Sequence, residues 1–214
     1  MGYEVFAGNT HDSRTVQIVA DTMEARHGTV GRGWIADRGM SSAANLAWLG
    51  QTGQRYIIGA PKVELRKFAA DGWRAIRDGI EVKLAPWPET GETAILCRSA
   101  DRRSKERVMH DKFSTRIEAA LAKLAARIEL DQAAQLCPDQ QSDRLHPLRR
   151  NQRSAARFKI VLLAADCPAG LRLHGEHEQA FDDWAAISEG AYVLRTNITG
   201  WRDEQLWRAY IQLT

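Results

Sequence analysis

The chain has 214 residues, 44% hydrophobic and 27% charged, with a formal net charge of +3. That composition argues against wholesale disorder and a coiled-coil rod. No run of eighteen apolar residues predicts a transmembrane helix, and Met1-Gly2-Tyr3-Glu4-Val5-Phe6 carries no secretory pattern. Cys97, Cys137 and Cys167 are widely spaced and form no C-x-x-C pair, so neither a disulfide framework nor a structural zinc site is expected, and a reducing cytoplasm fits.

Residues 1–60 read as strands alternating with helices. Gly2 to Ala7 is a short extended run closed by Gly8-Asn9. Asp12 or Ser13 can cap a helix through about Arg26, with Val16, Val19, Ala20 and Met23 on one face. Trp34-Ile35-Ala36 predicts a brief buried strand with Asp37 at its carboxyl end, and Arg38-Gly39 turns the chain. Ser41 or Ser42 can cap a second helix bearing Ala44, Leu46, Ala47 and Leu49, before the strand Tyr56-Ile57-Ile58. This order implies an α/β sheet with parallel neighbours.

A different texture begins at Pro61. Ile80, Val82 and Leu84 alternate with polar residues, as do Thr93, Ile95 and Cys97 with their neighbours, and Pro86 to Gly91 is turn-rich. The pattern predicts a β-hairpin with a long loop. Residues 98–112 are highly charged and expected to be exposed. Thr115-Arg116-Ile117-Glu118 reads as a capping box opening a helix with Ile117, Leu121, Leu124 and Ile128 along one stripe, suited to the local sheet or to a partner helix. Arg157 to Leu163 predicts another strand. From Gly190 the first texture returns, with the strand Ala191 to Asn197 and a helix carrying Leu206, Trp207, Tyr210, Ile211 and Leu213.

Asp37 is the sharpest candidate for chemistry, because ligands and metals bind at the carboxyl ends of buried strands in such sheets; a turn cap is the plainer role for a lone carboxylate. Arg144, Arg149, Arg150, Arg153, Arg157 and Lys159 face only Asp143 between residues 142 and 159, on a chain otherwise slightly acidic, which suits a phosphate-facing surface as well as a solvated one. His174, Glu176 and His177 could ligate a metal but lack a third strong ligand; surface residues are the commoner outcome. Of the seven tryptophans, Trp34 and Trp48 have core-like settings, whereas Trp87 and Trp184 have polar ones open to contact with DNA.

Gly8-Asn9-Thr10-His11-Asp12, then Ala36-Asp37-Arg38-Gly39-Met40-Ser41 with Asn45, resemble bacterial insertion-sequence transposases of the DDE class. Residues 55–61, Glu189 to Asn197, and Leu206 to Leu213 continue the resemblance, which covers nearly the whole chain, though the middle matches by texture. The D-R-G-M and Y-V-L-R-T-N blocks carry it together.

The resemblance implies an α/β fold: an incomplete RNase H-like mixed sheet with flanking helices and a largely β insertion containing one long helix. Residues 1–60 would be the first part of the core, 61–189 the insertion, and 190–214 the return to the core and the start of the helix expected to carry a catalytic Glu. It implies DNA transposition by strand cleavage and transfer, with two Asp and one Glu holding two divalent ions, normally Mg²⁺ with Mn²⁺ as substitute. Asp37 matches the second Asp, as catalytic and metal-binding residue. The first Asp is expected ahead of residue 1, and the Glu seven positions after Tyr210, beyond Thr214. The chain is thus expected to be truncated at both ends and inactive alone. The implied partners are transposon ends and target DNA, held by residues 144–159, and a second copy or a full transposase, without a membrane. A different reading is a non-catalytic DNA-binding or dimerising remnant that interferes with a full-length transposase.

Overall fold

A computed structural model describes residues 5–28, 33–69, 71–130, 158–164 and 171–212. The chain divides into two compact units, residues 1–102 with 190–214, and residues 103–189.

The first unit is built on a six-stranded sheet. Its strands are β1 (Gly33–Ala36), β2 (Arg55–Ala60), β3 (Arg74–Arg77), β4 (Ile80–Pro86), β5 (Thr93–Ser99) and β8 (Ala191–Thr196), in the order β1-β2-β8-β5-β4-β3. β1 and β2 are parallel, with helix α2 (Ala43–Gln51) connecting them, and every other pair is antiparallel. The expectation of parallel neighbours therefore holds at one pair, and the sheet as a whole is mixed. β8 is central although it is formed late in the chain, so residues 190–196 join the early strands to the hairpin.

Successive strand residues face opposite sides, and both sides are covered. Helix α5 (Asp203–Ile211) lays Leu206 and Trp207 onto Ile57, Val82, Ile95, Cys97 and Leu194. Trp207 Nε1 donates to Tyr192 Oη at 2.8 Å, so the indole is packed without leaving its polar atom unpaired. On the other side, Leu49 of α2 packs with Tyr56 and Ile58, with Trp34, Leu46 and Trp48 around them. Helix α1 (Val16–His27) buries Val16 and Ala20; the expected caps Asp12 and Ser13 instead fall in a short 3-10 turn, Asp12–Arg14, ahead of it. Ser42 does cap α2, its Oγ accepting from Asn45 N at 3.2 Å. Within Gly2 to Ala7, residues 5–7 form no strand and residues 2–4 lie outside the described residues.

The hairpin expected at the head of the insertion forms as β4 and β5, paired from Ile80↔Ser99 to Pro86↔Thr93. It hydrogen-bonds through β5 to β8 and so extends the same sheet as β1 and β2. The two compact units divide at Arg102, and backbone pairing carries the sheet of the first unit through to β3.

In the second unit, helix α3 (Ala100–Leu130, entered from the first unit) lies with the hairpin β6 (Phe158–Ala164) and β7 (Leu171–His177), and helix α4 (Gln179–Ser188) follows. Ile117 and Leu121 bury against Phe158 and Ile160, flanked by Leu124 and Leu173, so this stripe packs on the local hairpin. The helix begins fifteen residues before the expected capping box. Residues 100–114 contain no Gly or Pro, and Ser99 Oγ accepts from Arg102 N at 3.3 Å at the true start. Thr115 is mid-helix, its Oγ1 donating to Asp111 O at 2.9 Å. β3, β7 and α4 lack an alternating or capped pattern strong enough to announce them.

Leu206 is 1% exposed at the centre of the apolar layer. Leu206→Ala is expected to lower unfolding free energy by about 2–5 kcal/mol, read as a reduced midpoint in urea with unchanged slope.

Candidate functional site at the carboxyl end of β1

Asp37 leaves β1 in an extended conformation and caps the 3-10 turn Arg38–Met40; its Oδ1 accepts from Gly39 N at 2.8 Å. The second oxygen, Oδ2, has no hydrogen bond among the described residues, and the residue is exposed. The turn-capping role expected of a lone carboxylate is thus present at Oδ1, and Oδ2 is left for other contacts.

The turn is held from behind. Asn45, 3% exposed, donates from Nδ2 to Met40 O at 3.1 Å and to Ser13 O at 2.8 Å. One buried amide thus ties the turn after Asp37 to the segment after Asp12. Ser41 adds its own closure, Oγ donating to Arg38 O at 2.8 Å.

From the other side, β2 and α5 press close. A Cβ on Gly59 would stand 3.0 Å from Arg38 N, 3.1 Å from Tyr210 Oη and 3.4 Å from the Asp37 carbonyl carbon. Only a residue without a side chain lets β2, the Asp37 turn and Tyr210 meet. Burial raises the Tyr210 hydroxyl pKa above its ordinary value and the Asp37 charge raises it further, partly offset by Arg102. Tyr210 is thus a neutral hydrogen-bonding group beside the carboxylate. The sequence pattern assigns Tyr210 to a core stripe; the crowding at Gly59 has no signal in a single sequence.

A cleft of about 160 Å³ beside the turn is lined by Ser41, Leu46, Gly59, Pro61, Trp87 and Arg195 among others. Trp87, expected in a polar setting, is 3% exposed, with Arg195 4.6 Å and Lys67 5.6 Å from its ring centre. Its neighbours in sequence are polar, but the hairpin loop folds the ring inward. Its Nε1 has no hydrogen-bond partner among the described residues. Arg195 pairs with Glu92, which also accepts from Tyr56 and Thr90. Burial alone would raise the Glu92 pKa, but hydrogen bonds from Thr90, Tyr56 and Arg195 and the charge of Arg195 outweigh it and hold the carboxyl below its usual range.

The remaining sequence candidates stand elsewhere. Arg144, Arg149, Arg150, Arg153 and Arg157 lie outside the described residues. Lys159 is exposed on β6, opposite Glu176 of β7. His174 and His177 are about half exposed, His174 3.7 Å from Glu176 and His177 3.4 Å from Glu118. Among the described residues no three of His, Cys, Asp and Glu gather as a metal site. Cys97 is buried and its thiol pushed up to about 12 by desolvation; Cys137 and Cys167 lie outside the described residues. No helix among the described residues is long and apolar enough to cross a membrane.

Two outcomes follow. Asn45→Ala leaves Met40 O and Ser13 O short of a donor and is expected to cost about 1–3 kcal/mol, while Gly59→Ala costs about 1–3 kcal/mol through overpacking. Both should speed amide exchange at Gly39, measured by NMR. Glu92, with its folded pKa depressed, contributes stability that is present above its unfolded pKa of about 4.3 and is lost as pH falls through the folded value. Melting temperatures recorded from pH 7 to pH 3 should therefore fall less steeply in Glu92→Gln than in the parent.

The family described as Transposase DDE domain matches residues 1–129, a span that contains the Asp37 turn, Asn45 and Gly59. Comparison with curated proteins and with solved structures finds no match. The mixed α/β sheet with flanking helices agrees with an RNase H-like fold of this kind. With the D-R-G-M turn at the end of β1 and the match spanning more than half its length, this chain belongs to the DDE transposase family of insertion sequences.

Proposed function

We propose that Asp37 is one carboxylate ligand of a divalent-metal site for DNA strand cleavage and transfer. The observation that carries this reading is the exposed Asp37 carboxylate at the carboxyl end of β1, held by one oxygen and open at the other, in a chain of the DDE transposase family. Hard cations such as Mg²⁺ and Mn²⁺ take oxygen ligands. Divalent ions held by Asp37 with further carboxylates would supply Lewis-acid stabilisation of the attacking and leaving oxygens at a phosphodiester.

The donor set tests how far these residues go. Asp37 fits as a ligand, since its Oδ2 is unencumbered; among the described residues no further carboxylate or imidazole forms a cluster with it. The residues present orient rather than react. Gly39 N–H fixes the carboxylate rotamer, Asn45 fixes the turn, and Tyr210 offers a neutral hydroxyl on the same side. Among the described residues Asp37 has no second carboxylate clustered with it, and a lone carboxylate binds Mg²⁺ weakly, so the chain is expected to be catalytically silent alone. The basic segment Arg144, Arg149, Arg150, Arg153, Arg157 and Lys159 would hold DNA, transposon ends or target, by its charge.

Mn²⁺ titration followed by NMR tests the assignment without requiring turnover. Paramagnetic broadening should be strongest at the amides of Asp37, Arg38, Gly39 and Gly59 and should vanish there in Asp37→Asn. Broadening that ignores this turn, or that survives the substitution, would refute the assignment. In parallel, no Mg²⁺- or Mn²⁺-dependent strand cleavage is expected from the 214 residues; robust cleavage abolished by Asp37→Ala would overturn the statement that one carboxylate does not suffice.

A further inference from the structure

Helix α3 carries an arrangement of charge that neither the sheet nor the Asp37 turn explains. At about 100° per residue, Lys105, Lys112, Arg116 and Lys123 fall within a wedge of about 40°. All four are exposed, and none is ion-paired among the described residues. The residues interleaved with them on that face are Met109 and Ala119. The acids between Lys105 and Lys123, namely Glu106, Asp111 and Glu118, are turned about 80° or more away from the wedge.

The opposite side of the helix is the anchored one. Ile117 and Leu121 are buried there with Phe158 and Ile160. Also on that side, Arg107 Nε donates to Glu189 Oε2 at 3.0 Å, His110 Nδ1 lies 2.9 Å from Glu189 Oε1, and Arg103 Nε donates to Glu189 O at 3.3 Å. Cations on the inner face are thus engaged within the unit, while among the described residues Lys105, Lys112, Arg116 and Lys123 have no ion-pair partner. A solvated helix gains from alternating charges at i and i+4, yet Lys112 and Arg116 place like charges at that spacing, which disfavours the helix. The pattern is costly to the isolated chain and is relieved by a polyanion.

We infer that the outer face of α3, through Lys105, Lys112, Arg116 and Lys123, binds the phosphate backbone of duplex DNA. The stripe is about 27 Å long at 1.5 Å per residue, within the roughly 34 Å of one duplex turn, so its cations are spaced to reach phosphates within a single turn. Such a contact reads charge and not bases: it positions the duplex. This inference rests on the reading of DNA as the substrate and names residues other than those of the basic segment 144–159.

The test is binding of the 214-residue chain to a 30-base-pair duplex, followed by fluorescence anisotropy over a series of KCl concentrations without divalent metal. Each phosphate contact contributes about 0.9 to the slope of log affinity against log salt. Lys105→Gln/Lys112→Gln/Arg116→Gln/Lys123→Gln should therefore flatten the slope by about 3 to 4. Lys112→Gln/Arg116→Gln, which removes the like-charge pair and so cannot weaken the helix electrostatically, should flatten it by about 2. A parent slope retained by both variants would overturn the α3 surface while leaving DNA binding in place. A parent chain that binds no duplex at low salt would overturn this inference together with DNA binding by the chain; Mn²⁺ broadening at Asp37 does not depend on DNA and would stand or fall separately.

Discussion

The structure depends on the join between β2 and β8, two strands about 135 residues apart that pair antiparallel from Ile57↔Thr196 to Ala60↔Val193. Side chains reinforce the backbone ladder at its end. Thr196 Oγ1 donates to Tyr56 O and accepts from Ile198 N at 3.1 Å. Asn197 Oδ1 accepts from Tyr56 N at 2.9 Å, and its Nδ2 donates to Gln54 O at 2.8 Å. The Thr-Asn pair thereby supplies partners for backbone groups at the entry to β2 that would otherwise be left unpaired near the core. Without this closure the parallel pair β1-β2 and the hairpin β4-β5 would share no sheet.

That join sets the geometry around Asp37. Because β8 lies beside β2, the chain that follows it returns across the sheet as α5, and Tyr210 arrives against Gly59 and the Asp37 turn. Asn45 secures the same turn from the α2 side. The carboxylate is therefore positioned by residues from three separate stretches of sequence, each packed or hydrogen-bonded into the first unit. A charge at the mouth of such a scaffold keeps its orientation without being buried, which suits an exposed metal ligand.

Much of this can be read in the sequence because it is local. β1, β2, β8, the β4-β5 hairpin and α5 each carry a strong period or a turn signature, and the D-R-G-M and Y-V-L-R-T-N blocks point to Asp37 and to the strand that completes the sheet. What escapes a sequence reading is set by contacts between distant residues. The pairing of β5 with β8 places the hairpin in the core sheet, which no local pattern announces. Trp87 reads as polar from its neighbours and is buried by the fold of its loop. The first half of α3 reads as a charged, exposed stretch because its burial is sparse, although its residues favour helix. The crowding at Gly59 and the two-way bond of Asn45 exist only in three dimensions. The α3 stripe requires the helix to be known before its cations can be placed on one face.

The central claim is that the late block fastens the Asp37 turn through β2. Amide hydrogen exchange in Asn197→Ala tests it most directly. Exchange is expected to accelerate at Tyr56 to Gly59 and also at Gly39 and Met40, which share no hydrogen bond with Asn197. Acceleration confined to Tyr56, with Gly39 and Met40 unchanged, would contradict it.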